Sequence, residues 1–136
     1  MGERPNPNEA KATGTLRVLT AALKTYASVY DAGFPDRLRR LGRPRAGQPD
    51  KNNANLVDPV IAGQNGGSGI SFEKDGYFFT YHAGAADRKG RIHTYSLIAR
   101  PLRYGDDGYR SFFTDEAAVI HWTAEDRAPN ASDFHL

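Results

Sequence analysis

Between Asn8 and Tyr30, apolar residues recur every three or four positions: Ala12, Leu16, Leu19, Leu23, Tyr26 and Tyr30. That spacing puts them on one face of an α-helix. Val18, Ala22 and Val29 widen the face on one flank, while Lys11, Arg17, Lys24, Ser28 and Asp31 lie mostly on the other side. Asn6 is placed to cap the helix. Pro7 then falls in its first turn, where the missing N–H costs nothing, and Glu9, three residues after Asn6, completes a capping box. Gly33 is expected to act as the C-terminal cap and Pro35 to prevent resumption, so the helix is predicted over residues 8–32. Gly14 is its weak point, costing about 1 kcal/mol relative to alanine.

From Gly76 onward the period changes to two, the signature of half-buried strands. Tyr77, Phe79 and Tyr81 share one face of a strand over 77–83, with Phe78, Thr80 and His82 on the other. Over 91–101, Tyr95, Leu97 and Ala99 alternate with Thr94, Ser96 and Ile98. With GAADRKG as the hairpin loop, matching the apolar faces pairs Tyr81 with Tyr95 and Phe79 with Leu97. YGDDG reads as a turn. YRSFFT (109–114) and AVIHWT (118–123) read as a second hairpin turning at Asp115 and Glu116, followed by a polar tail with Phe134 and Leu136 as final packing contacts.

Residues 33–75 read as irregular. Leu38 and Leu41 are placed to dock a short helical turn; NLVDPVIA (55–62) is a short helix or a turn with Leu56, Val57, Val60 and Ile61 on its apolar side. The loop GQNGGSG (63–69) lacks the Lys-Ser/Thr ending of a phosphate-binding loop. Residues 1–7 read as a disordered or artificial start, which leaves room for a targeting or anchoring segment upstream. The whole is an α+β arrangement, a long N-terminal helix packed on a roughly four-stranded antiparallel sheet. It forms one domain over 8–136, with the sheet in 76–123 and the tail in 124–136.

Composition narrows the function. At 136 residues, 25% charged and 39% hydrophobic, the chain has the make-up of an ordinary globular domain. Lys and Arg number 18 against 16 Asp and Glu, too small an excess for the basic stripe that nucleic-acid binding needs. The Arg-rich segment Arg37 to Arg45 is the local exception, read as a solvated loop in preference to a polyanion site. The absence of cysteine removes disulfides, thiolate metal sites and a cysteine nucleophile together. No apolar run approaches the ~20 residues of a membrane span, and no signal-peptide pattern is present.

Candidate chemistry is sparse. His82 and His93 flank one hairpin, but the register above sends His82 outward and His93 inward opposite Ala83, so they form no metal pair; His121 and His135 suggest no third ligand. Ser71, Ser96 and Ser111 lie in no nucleophile elbow. Asp106-Asp107 and Asp115-Glu116 fit turn chemistry better than calcium, since no EF-hand pattern accompanies them. No catalytic, cofactor-binding or metal-ligating residue is assigned. Phe78 and Phe113 are expected on the outer sheet face, either as a binding surface or covered by the Arg-rich segment.

Three stretches resemble bacterial type IV pilins and the related pseudopilins. The first is NEAKATGTLRVLTAALKTYASVYDAGFP, similar to the exposed half of a pilin N-terminal helix. The second is LVDPVIAG, then a glycine loop, DGYFFTYHA and TYSLIARPL. The third is YRSFFTDEAAVIHW, similar to a hairpin near pilin C termini. Together they span most of residues 8–123. The family's basic leader, Gly cleavage position and hydrophobic run with Glu are not among these residues, which a shortened soluble form would explain. The usual cysteine pair is missing, and Ala117-Ala118 stands where many relatives have Gly.

The resemblance implies a non-enzymatic structural subunit of a type IV pilus-like filament, without cofactors. Its partners would be further copies of itself and other pilins, with no nucleic acid. The precursor would be held in the inner membrane and the filament displayed on the bacterial cell surface. The isolated domain would be monomeric, with Glu9, Lys11, Arg17 and Lys24 as candidate subunit-interface residues. A type II secretion pseudopilin or a minor pilin is the alternative within the family. From another class, the alternative is a small extracellular ligand- or glycan-binding module using the outer aromatics or the arginine loop; an enzyme ranks third.

Overall fold

Asn6 opens the helix from an extended conformation, its Oδ1 accepting the Asn8 N–H at 2.8 Å, with Pro7 as the first helical residue. The computed structural model describes residues 6–63 and 69–136. Asn6 and Pro7 therefore belong to the helix, not to a disordered start; residues 1–5 of that predicted stretch lie outside the described residues. Helix α1 runs Pro7–Val29. The expected capping box does not form, because the Glu9 carboxylate reaches the Tyr109 N–H instead. The helix also ends earlier than residue 32. Tyr30 turns extended, its N–H bonding the Tyr26 carbonyl at 2.9 Å.

Gly33 is thus not the cap. It has φ +75°, and a Cβ there would sit 2.1 Å from the Ile92 carbonyl oxygen. Two hydrogen bonds join the strips, Phe34 N–H to the Ile92 carbonyl at 2.8 Å and Ile92 N–H to the Ala32 carbonyl at 3.2 Å. The glycine is required by backbone contact, not by helix termination.

A single 3-10 turn, Leu38–Leu41, follows with both leucines buried, as predicted. NLVDPVIA resolves as turns, with Asp58 Oδ1 accepting the Ile61 N–H at 2.9 Å. The core of the predicted glycine loop, residues 64–68, lies outside the described residues.

The sheet has six antiparallel strands rather than four: β1 Ser71–Lys74, β2 Tyr77–Ala83, β3 Tyr95–Pro101, β4 Ser111–Asp115, β5 His121–Thr123 and β6 Phe134–His135. Their spatial order is their sequence order. Strand β1, inside the stretch read as irregular, is joined to β2 by Asp75 and Gly76 at φ 53° and 78°. That two-residue turn with both φ positive matches the twist of a hairpin. Strand β6 turns the predicted tail into a sheet edge, leaving Phe134 and Leu136 exposed rather than packed inside.

The register of β2 and β3 is two residues away from the predicted one. Tyr81 faces Leu97, Phe79 faces Ala99, and Tyr95 faces Ala83. A slip of two keeps every side chain on its predicted face, whereas a slip of one would have inverted them. Residues 91–94 do not extend β3, because Ile92 bridges to Gly33 and Ala86 instead. Nor do 109–110 and 118–120 join β4 and β5; Ala118, at φ 62°, belongs to the turn.

α1 packs across β3 and β4. Ala12, Leu16, Leu19, Leu23 and Tyr26 meet Tyr77, Phe79, Tyr81, Leu97 and Phe112 in one buried cluster, with Tyr30 at its margin. Each fully buried leucine contributes about 2 kcal/mol. The predicted flank is half right. Ala22 is buried, but Val18 and Val29 are 49% and 63% exposed. Thr15 is buried on the same flank as Ala22, and Thr13 on the opposite one. Phe72 of β1 stacks on Phe79 at 4.6 Å between centroids.

Three tyrosine hydroxyls tie irregular chain to this core. Tyr26 donates to the Lys51 carbonyl at 2.5 Å, Tyr77 to the Arg110 carbonyl at 2.6 Å and Tyr81 to the Pro35 carbonyl at 2.7 Å. Burial pushes all three hydroxyls above the ordinary tyrosine range, so each remains a donor.

Candidate functional site

The helix face turned away from the sheet is the first candidate surface. Lys11, Arg17 and Lys24 are exposed there, together with Val18, Ala21, Thr25, Ser28 and Val29. Gly14 lies among them, and a Cβ there would meet nothing within 4 Å. Of the four predicted interface residues, three therefore share an accessible face. Glu9 does not. Its side chain is 15% exposed, accepts the Tyr109 N–H at 2.9 Å and lies 3.8 Å from Arg110 Nε. It joins the helix to the connection before β4, a partner a hundred residues away that no local pattern announces. Among the described residues no helix is long and apolar enough to cross a membrane.

The histidines stay apart as ligands. His93 is exposed in the β2–β3 connection and is not inward opposite Ala83; its Nε2–H donates to Asp87 Oδ2 at 2.8 Å. Asp87 Oδ1 also accepts the Lys89 and Arg91 N–H groups. These bonds, the one from His93 foremost, hold the Asp87 carboxyl down to about 2. His121 stands by His135 with ring centroids 6.1 Å apart. Among the described residues no group of three or more His, Asp or Glu could hold a metal ion. The acidic turns serve local structure: Asp107 accepts from Arg103 N–H and Nε, and Asp115 from the Ala117 N–H.

The outer sheet face carries Phe78, exposed, and Phe113, partly covered and 6.1 Å from the His121 ring. The segment meeting this face is the tail after Thr123. Arg100, beside Phe78 in the register, reaches Asp126 at 3.2 Å, and Tyr104 donates to the Ala124 carbonyl. On the other side of the sheet, Arg110 lies over the Trp122 ring at 4.3 Å.

The Arg-rich segment is built against the helix and the 3-10 turn. Ala54, Asn55 and Leu56 N–H groups bond the carbonyls of Arg40, Gly42 and Leu41, each at 2.8 Å. Asp50 and Asn53 bridge each other, and Arg40 Nη1 donates to Asn52 at 2.7 Å. The Arg40 guanidinium also bonds Asp36 and holds that carboxyl below its usual range. Arg39, Arg43, Pro44, Arg45, Ala46, Gln48, Asp50 and Asn53 line an open groove of about 500 Å³. The segment is thus tied down at its two ends, while Arg43 and residues 45–50 between them are exposed, as a solvated loop would be.

No family model, curated protein or solved structure matches this chain.

Proposed function

We propose that the chain is a structural, non-catalytic subunit of a type IV pilus-like filament, meeting its neighbours through the outer face of α1. What carries the reading is the two-sided use of that helix. One face is closed on β3 and β4, while Lys11, Arg17, Val18, Lys24 and Val29 stay bare along its 23 residues, about 35 Å of rise. A helix packed on a sheet uses only its inner face for the core, so the outer one is open to a neighbour. The pilin-like wording of the three stretches agrees with this arrangement. In the reading, the sheet lies on the filament exterior at the cell surface, and the subunit is held in the inner membrane before assembly. A pseudopilin of a secretion system or a minor pilin would use the same helix face.

The test is assembly in the source cell with Arg17→Glu and Val18→Asp in the gene. Surface filaments counted by electron microscopy should fall by at least about ten-fold, the effect of one buried charge mismatch, while the isolated variant domain keeps its thermal midpoint. Loss of a secreted protein with pili intact would assign the pseudopilin role. Unchanged filaments and unchanged secretion would sink the reading.

A further inference from the structure

Charge is unevenly placed in this protein. Between Asp36 and Lys51 six basic side chains meet two acidic ones, a local +4 in a chain whose total is +2, so the remainder is net negative. The two acids are already engaged. Asp36 is shared by Arg37 and Arg40, and Asp50 Oδ1 accepts the Asn52 and Asn53 N–H groups at 2.9 and 3.1 Å. Arg39 and Arg45, on the groove wall, have no ion-pair partner among the described residues. Like charges gathered in excess of their counter-charge repel, and a bound anion relieves that repulsion.

We infer that the groove lined by Arg39, Arg43 and Arg45 binds a compact polyanion, a ligand carrying two or more phosphate or sulfate groups close together. The backbone that presents these arginines is fixed at both ends, by the bonds to Arg40, Leu41 and Gly42 and by the Tyr26 hydroxyl on the Lys51 carbonyl. Planar guanidinium forks on a fixed backbone suit paired oxygens of oxyanions. The one carboxylate in the lining, Asp50, is outnumbered three to one by arginines.

The lining also limits the class of ligand. It contains no aromatic residue, so it has no platform for stacking a nucleobase or a sugar ring. A volume of about 500 Å³ is that of a small-ligand site. Duplex nucleic acid, with a charge every ~1.7 Å along its axis, calls for a long stripe instead. Clustered phosphates could be free in solution or carried on a lipid headgroup, and the two sources separate by experiment. Failure here would leave the filament reading untouched, since the groove lies off the helix face.

Titration calorimetry with sodium tripolyphosphate, and co-sedimentation with phosphatidylcholine vesicles with or without cardiolipin, test the site on the whole chain. Saturable binding to one probe is expected, weakening as salt rises. Arg39→Ala/Arg45→Ala should weaken it by at least about ten-fold through loss of charge-assisted hydrogen bonds. Arg88→Ala, an exposed cation outside the groove, should stay within about two-fold. Binding by tripolyphosphate assigns a free ligand, and binding by cardiolipin vesicles alone a headgroup. If the double variant loses its fold, Arg45→Ala alone, at the exposed tip, carries the comparison. Binding of neither probe, equal weakening by Arg88→Ala, or tighter binding of duplex DNA through the same arginines would each overturn the inference.

Discussion

Glu9 Oε2 accepts the Tyr109 N–H at 2.9 Å, joining the first turn of α1 to the connection before β4 across a hundred residues. Asn8 adds a second link, its Nδ2 donating to the Asp107 carbonyl at 3.1 Å. Glu9→Ala should therefore cost about 1–2 kcal/mol, the worth of a hydrogen bond to a mostly covered carboxylate. Glu9→Gln, which keeps an acceptor oxygen, should cost less than half as much. Urea unfolding followed by Trp122 fluorescence measures both. An alanine variant as stable as the parent would mean that the link holds nothing.

Two glycines should respond to alanine with opposite signs. Gly14 is helical with open space around it, so Gly14→Ala should stabilise by about 0.5–1 kcal/mol. Gly33 combines positive φ with a Cβ position 2.1 Å from the Ile92 carbonyl oxygen, so Gly33→Ala should destabilise by about 3 kcal/mol or more. Thermal midpoints that move in the same direction would contradict the contact between residues 33 and 92.

Tyr81→Phe removes the hydroxyl that donates to the Pro35 carbonyl in the core at 2.7 Å. The carbonyl then loses its partner away from water, an expected cost of about 1–2 kcal/mol. Because Pro35 leads into the 3-10 turn, hydrogen exchange at Arg39 and Gly42 should quicken more than at β3. Equal protection in both places would show that the hydroxyl does not tie the segment down.

Asp87 should titrate visibly in its loop. Its folded value, about 2, lies below the ordinary ~3.9 of a free aspartate. The carboxylate therefore favours the folded loop fully above about pH 4, and that contribution is lost as pH falls through about 2. The amide chemical shifts of Lys89 and Arg91 should follow this titration, and Asp87→Asn should abolish it. A midpoint near 4 would show the bond from His93 to be ineffective.

Periodicity made α1 and β2 legible, because both bury one continuous face. What it lost was set by distant partners. Glu9 matched a capping box locally, yet Tyr109 competes for its carboxylate. Gly33 looked like a helix terminator, but its reason lies at Ile92. Matching tyrosine to tyrosine misplaced β3 by two residues, while the alternation still assigned each face correctly. Strand β1 escaped because SFEK buries only Phe72; the Asp75-Gly76 pair, a recognised hairpin signal, was the clue. Strand β6 is two residues long and has no period to read. Of the candidate interface, Lys11, Arg17 and Lys24 were legible as the polar side of an amphipathic helix. The arginine groove was visible as a run of charge but not as a fixed cavity, since the bonds that fix it come from Tyr26 and residues 52–56.

The position of α1 ahead of the strands it covers has a consequence for biosynthesis. The ribosome releases Leu16, Leu19 and Leu23 long before Leu97 and Phe112 exist to cover them. At ordinary elongation rates that interval is on the order of ten seconds, ample time for a greasy helix to find another partner. Until β4 has emerged, that apolar face can be covered only by contacts other than its native ones.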